Sequence, residues 1–187
     1  MNEIINFNSE FKSLWTKTRK RFNDANIYSA IINDFRLNAE FISGTKYRRL
    51  FKRFGIYVFY IKPLKAYSLE ELSADWNFDG YSNYPRIIKS KFSFYDEINT
   101  ENWYPFYIGK AENLGSRINE HINHKGEITT YGLKLKDRKF FTPQNIKYSF
   151  WELPEDLKDS PKDIKQFLLK HLERELREKM KPWIGKH

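Results

Sequence analysis

The 187-residue sequence contains no cysteine. That excludes disulfides, thiolate zinc sites and a cysteine nucleophile, and it fits a cytoplasmic protein. It has no apolar run of the roughly 18 residues that a membrane span needs. The opening "MNEIINFNSEFKSLW" lacks a basic start followed by an apolar stretch, so no secretory signal is expected. Internal repeats, low-complexity segments and flexible linkers are missing too.

What is present is positive charge and enough apolar material for a core. Lysine and arginine number 33 against 24 acidic residues, giving a net charge of +9 and a pI near 9.5. About 40% of the chain is hydrophobic, which suffices to bury a core. A compact basic protein attracts polyanions, and nucleic acid is the commonest of these.

Residues 1–54 read as a helical, basic extension packed on the core. In "SEFKSLWTKTRKRF", Phe11, Leu14, Trp15 and Phe22 recur on one side, and "SGTKYRRLFKRF" gathers lysines and arginines. The pattern then changes. "FGIYVFYIKP" is β-branched and aromatic and ends at Pro63, as a buried strand does. Residues from about 64 to 103 read as an insertion. "WYPFYIGKA" and "NIKYSFWEL" are further strands. "ENLGSRINEHINH" is a helix with Leu114, Ile118 and Ile122 as its apolar stripe, and the basic "TTYGLKLKDRKFFTPQ" is a loop or short helix. The last helix, in "DSPKDIKQFLLKHLERELREKMKP", is expected to start with Ser160, Pro161 and Asp163 at N-cap, N1 and N3. Its stripe is Ile164, Leu168, Leu172, Leu176 and Met180, and Pro182 stops it. The order strand, strand, helix, strand, helix makes residues 55–187 an α+β domain with one sheet.

Two strands carry related tripeptides, Gly55-Ile56-Tyr57 and Tyr107-Ile108-Gly109. Arg117 follows in the first helix, with His121 four positions later, and Glu173 lies within "ERELREKMKP". This combination resembles the GIY-YIG nuclease superfamily over about residues 55–66 and 104–185. It is nearest to the type II restriction endonuclease branch, in which an Arg-x-x-x-His helix and a basic insertion follow the second strand. Arg117, His121 and residues 125–144 match those features. The resemblance implies a small, mostly antiparallel three-stranded sheet with flanking helices. It also implies cleavage of DNA phosphodiester bonds with Mg²⁺, for which Mn²⁺ can substitute.

The residues suit that chemistry. Mg²⁺ keeps several waters and often takes only one carboxylate, a place open to Glu173. A guanidinium matches phosphate oxygens geometrically, which suits Arg117 as a phosphate clamp. By resemblance Tyr57 is the base, with Tyr107 orienting water or phosphate. A free phenol titrates near 10, so such a base needs a lowered pKa. His121, on the same helix face as Arg117, is expected to accept the tyrosine proton.

Each residue also has a plainer reading. The tyrosines suit ordinary strand aromatics, and Arg117 a solvated helix position. His121 suits a cap or a packed ring, with His124 a comparable surface residue. Glu175 and Glu178 rival Glu173, which an ion pair with Arg177 would also satisfy. The family commonly ends in Pro-x-x-Asn, whereas "KPWIGKH" puts Gly185 at the Asn position. Either Asn119 or Asn123 substitutes, or catalysis is weakened.

Expected DNA contacts are Arg48 and Arg49, Lys110, and Lys134, Lys136, Arg138 and Lys139 of "KLKDRKFF". The function these features suggest is sequence-specific cleavage of double-stranded DNA by a homodimer, whose two-fold axis would mirror a palindromic site. A structure-specific or nonspecific DNA or RNA nuclease, or a non-catalytic nucleic-acid-binding module, are the alternatives.

Overall fold

A computed structural model describes residues 2–77, 83–95, 98–124, 131–138, 141–157 and 159–185. Two helices open the chain, α1 (Asn2–Asp24) and α2 (Ile27–Leu37), followed by the short strand β1 (Glu40–Phe41). Next come β2 (Gly55–Ile61), α3 (Leu69–Asn77), β3 (Arg86–Ile87), α4 (Lys89–Phe92) and β4 (Tyr104–Ala111). The chain finishes with α5 (Leu114–Asn123), β5 (Ile146–Glu152), α6 (Lys162–Met180) and β6 (Ile184–Gly185). The main sheet has the order β1-β5-β2-β4, with every neighbouring pair antiparallel.

Every residue of β2 is buried. The strand is central and covered on both faces, which explains its unbroken apolar run where a half-exposed strand would alternate. One face presents Tyr57, Phe59 and Ile61 to Leu114, Ile118 and Ile122 of α5. The other presents Ile56, Val58 and Tyr60 to Tyr28, Ile31 and Phe35 of α2 and to Leu169, Leu172 and Leu176 of α6.

The architecture is α+β as expected, with three differences. The sheet gains β1 from the N-terminal extension, through the pairs Glu40↔Tyr148 and Phe41↔Lys147. The insertion forms α3, β3 and α4, and β3 pairs with β6 in a second, two-stranded sheet. Finally, α6 begins at Lys162 after Pro161, with no side-chain cap. Ile164 is then 50% exposed and Leu169 is buried. In α1, Phe11 and Trp15 pack against Phe167, but Leu14 is 63% exposed and belongs to no core face. Among the described residues no helix is long and apolar enough to cross a membrane.

Candidate active site

The β2–β4 register pairs Tyr57 with Gly109 and Phe59 with Tyr107. Directly opposed residues share a face, so both tyrosines point toward α5, their ring centroids 6.1 Å apart. Gly109 has a steric reason to be glycine. A Cβ there would lie 2.4 Å from the Tyr57 hydroxyl and 3.0 Å from the Tyr107 ring.

Helix α5 starts where the Asn113 side chain accepts a hydrogen bond from the Ser116 N–H, at 3.1 Å. Its buried stripe brings His121 onto the tyrosines. The ring is fully buried and its Nε2 lies 2.7 Å from the Tyr57 hydroxyl. The Leu133 N–H donates to its Nδ1 at 2.9 Å. A neutral imidazole whose Nδ1 accepts carries its proton on Nε2, so His121 donates to Tyr57. Burial and then the nearby Arg117 charge hold its pKa well below the ordinary value, which keeps the ring neutral. This corrects the expected role. The basic nitrogen is already occupied, so His121 donates to Tyr57 and is not placed to accept the tyrosine proton. Nothing in the sequence signals that a backbone amide twelve positions away sets the tautomer.

Burial favours the protonated form of both tyrosines. Burial pushes Tyr57 well above the ordinary phenol value, with Arg117 pulling it partly back. Burial also raises Tyr107, whose next influences are Arg117, which lowers it, and Glu173, which raises it. Each tyrosine also acts on the other, raising Tyr57 and lowering Tyr107. Tyr57 is 1% exposed and Tyr107 8%. Arg117 is partly buried, its Nη1 2.7 Å from Glu120 and its Nη2 donating to the Tyr131 carbonyl.

Glu173 sits on α6, which covers the opposite face of the sheet. β4 is an edge strand, and the half-buried Glu173 raises the Tyr107 pKa through its charge. Glu173 has an interaction of its own, and so do its rivals. Glu175 pairs with Arg19 at 3.3 Å and Arg174 at 3.1 Å. Glu178 pairs with Lys91 at 2.6 Å and Lys181 at 3.4 Å. Glu173 also lines a cavity of about 850 Å³ with Phe11, Trp15, Lys170 and Arg177, whose walls include neither tyrosine.

Among the described residues no group of three or more His, Cys, Asp or Glu side chains converges to hold a metal. Among the expected site residues Glu173 is the one carboxylate. That fits an ion such as Mg²⁺, which binds through one or two carboxylates, several waters and substrate phosphate. It does not fit a metal held by a protein cage.

Asn119 and Asn123 do not fill the place left by Gly185. They bond each other at 3.1 Å and the Tyr47 hydroxyl at 3.4 and 3.3 Å. The side chain against Gly185 is Arg177, whose Nη2 would be 2.2 Å from a Cβ at that position.

The expected DNA contacts divide. Arg48 and Arg49 are exposed on the turn Lys46–Arg49 beside α5, and Lys136 is exposed. Lys110 lies on the α6 side of β4, where its Nζ donates to Gln166 at 3.0 Å. Lys139 falls outside the described residues. Lys134 and Arg138 are corrections, being 1% and 3% exposed. The Arg138 guanidinium lies 3.7 Å from the Trp76 ring centroid and 4.6 Å from that of Tyr84, and its Nε donates to the Leu133 carbonyl at 3.1 Å. Such a cation holds the insertion to the loop and cannot reach a phosphate from there. Arg138→Met is expected to cost about 2–4 kcal/mol of stability through lost cation–π and hydrogen-bond partners. Its DNA affinity at a temperature where it is folded should match the wild type, whereas Arg48→Ala/Arg49→Ala should weaken binding and flatten its salt dependence. Gel-shift titration across salt concentrations separates the two.

The buried histidines set an acid limit. His121 and His171 are both held below 6.5 by burial first. The unfolded chain binds their protons more readily, so stability is full above about pH 6.5 and is lost as pH falls below it. Urea midpoints should drop on acidification, and His121→Asn should flatten that slope. An unchanged slope in the variant would remove His121 from the effect.

No protein-family model, curated protein or solved structure matches the chain.

Proposed function

We propose that the chain has the GIY-YIG fold and is a Mg²⁺-dependent endonuclease that hydrolyses DNA phosphodiester bonds, acting on double-stranded DNA as a homodimer of restriction type. The observation that carries this reading is the Tyr57–His121 hydrogen bond, set over Gly109 and beside Tyr107 and Arg117 where the two tripeptides pair. A buried tyrosine–histidine pair beside a guanidinium, with its proton affinities shifted by burial, is the kind of cluster found at functional sites.

In hydrolysis a water oxygen bonds to phosphorus, one ester P–O bond breaks, and the departing oxygen takes a proton from a solvent water. The tyrosine pair takes the proton of the attacking water in its ionised form. Its oxygens are served by the His121 Nε2–H and by Arg117, the groups that stabilise that form. Arg117 turns from Glu120 to the scissile phosphate, whose charge grows in the transition state. Glu173 holds the divalent cation, which when bound supplies Lewis-acid polarisation of the phosphate and a more acidic water.

The test is incubation of the purified protein with long phage DNA in Mg²⁺ and in EDTA. Discrete fragments formed only with Mg²⁺ are expected. A Mg²⁺-dependent smear would replace sequence-specific with nonspecific cleavage. DNA that is retarded but intact would mean a binding module.

A further inference from the structure

Arg177 has no part in the hydrolysis described so far, yet it stands beside the groups that do. It follows Glu173 by one helical step of four on α6, which puts the two side chains on one face. Both are half-buried and both line the cavity between α1, α4 and α6. The guanidinium occupies space that exists because residue 185 has no side chain. A Cβ there would meet its Nη2 at 2.2 Å and its Cζ at 3.1 Å. Gly185 lies in β6, which hydrogen-bonds β3. The adjoining Trp183 N–H donates to the Pro105 carbonyl of β4 at 3.2 Å. The Arg177 guanidinium thus lies near the β4 edge that separates Glu173 from the tyrosines. Its charge acts on Tyr107 and also on Tyr131, whose carbonyl takes a hydrogen bond from Arg117.

We propose that Arg177 is a second phosphate-contacting residue of the site, holding oxygens of the scissile phosphate from the α6 side while Arg117 holds them from the α5 side. The inference rests on the nuclease reading above. Two guanidinium forks on opposite sides of a phosphate stabilise the charge that builds on it in the transition state. Arg117 has to exchange Glu120 for the phosphate, since Glu120 and the Tyr131 carbonyl hold its terminal nitrogens, and a second guanidinium shares the charge that it must meet.

Single-turnover cleavage in Mg²⁺ by wild type, Arg177→Ala, Arg177→Lys and Glu173→Ala tests this, together with thermal melting and DNA affinity in Ca²⁺. Arg177→Ala is expected to lose about 10²–10³-fold in rate, the effect of removing one transition-state donor. Its melting temperature and Ca²⁺-dependent DNA affinity should stay near wild type. Guanidinium ion added at millimolar concentration should restore part of the rate in Arg177→Ala and none in Glu173→Ala. Arg177→Lys keeps the charge without the fork and should fall between. Gly185→Ala, which leaves Arg177 in the chain but displaces its guanidinium, should show a similar loss of rate. Full activity of Arg177→Ala beside an inactive Glu173→Ala would overturn the proposal and leave the nuclease reading standing. So would a loss that follows a fall in melting temperature and resists guanidinium. A wild type that cuts nothing would overturn both.

Discussion

Tyr57→Phe is expected to lower DNA cleavage by about 10²–10⁴-fold, the usual worth of a positioned proton-transfer group. The hydroxyl accepts the His121 Nε2–H at 2.7 Å. Phenylalanine keeps the ring contacts with Phe59, Tyr107 and His121. It leaves one buried N–H without an acceptor, at a cost of about 1–3 kcal/mol. A folded variant with a lost rate therefore separates chemistry from packing. The pH profile adds a second readout. Burial raises both phenols, so only a small ionised fraction works near neutrality. The wild-type rate should rise about tenfold per pH unit through the neutral range, as the fraction of base grows. A flat profile, or a Tyr57→Phe protein that cuts at the wild-type rate, would take the proton-transfer role away from the tyrosines.

Gly109→Ala should be nearly as damaging, for a steric reason. The added methyl would stand 2.4 Å from the Tyr57 hydroxyl and 2.7 Å from its Cζ. Tyr57 cannot yield freely, because its ring is 1% exposed and tied to His121. Either the hydroxyl leaves its position or the Tyr57↔Gly109 pair opens. Overpacking of this kind costs about 1–3 kcal/mol, and the displaced hydroxyl should abolish most cleavage. Gly55→Ala is the control. Its Cβ would meet the Trp151 carbonyl at 2.2 Å and Leu114 at 2.7 Å, so it should destabilise the sheet while leaving the Tyr57 hydroxyl in place. Denaturant midpoints and cleavage rates, both taken well below the melting temperatures, check the contrast. Equal residual activity in the two variants would mean that Gly109 matters only for folding.

The central strand was legible because β2 is buried on both faces and reads as one apolar-aromatic run. The face shared by the tyrosines was legible in part, since Arg117 and His121 lie four apart on an amphipathic helix. Strand β1 was not, because two residues carry no periodicity and their pairing is made by β5, more than a hundred positions away in the pair Glu40↔Tyr148. Lys134 and Arg138 misled for a different reason. Charge in a loop normally means surface, and only the folded insertion brings Trp76 and Tyr84 under the Arg138 guanidinium. Gly185 read as a missing side chain, whereas in the fold it is room for Arg177. A burial-driven rise in the tyrosine pKa values also leaves no mark in a sequence. The spacing of residues reports which groups meet, but not how far they are removed from water.

The most direct measurement compares wild type with Glu173→Gln on plasmid DNA, each in Mg²⁺ and in EDTA, with gel retardation run alongside. Wild type should cut in Mg²⁺ and stop in EDTA. Glu173→Gln, which keeps the shape of the side chain and loses its charge, should bind DNA and cut none in either condition. Cleavage by the wild type in EDTA, or undiminished cleavage by Glu173→Gln, would contradict a metal-dependent site built on that carboxylate.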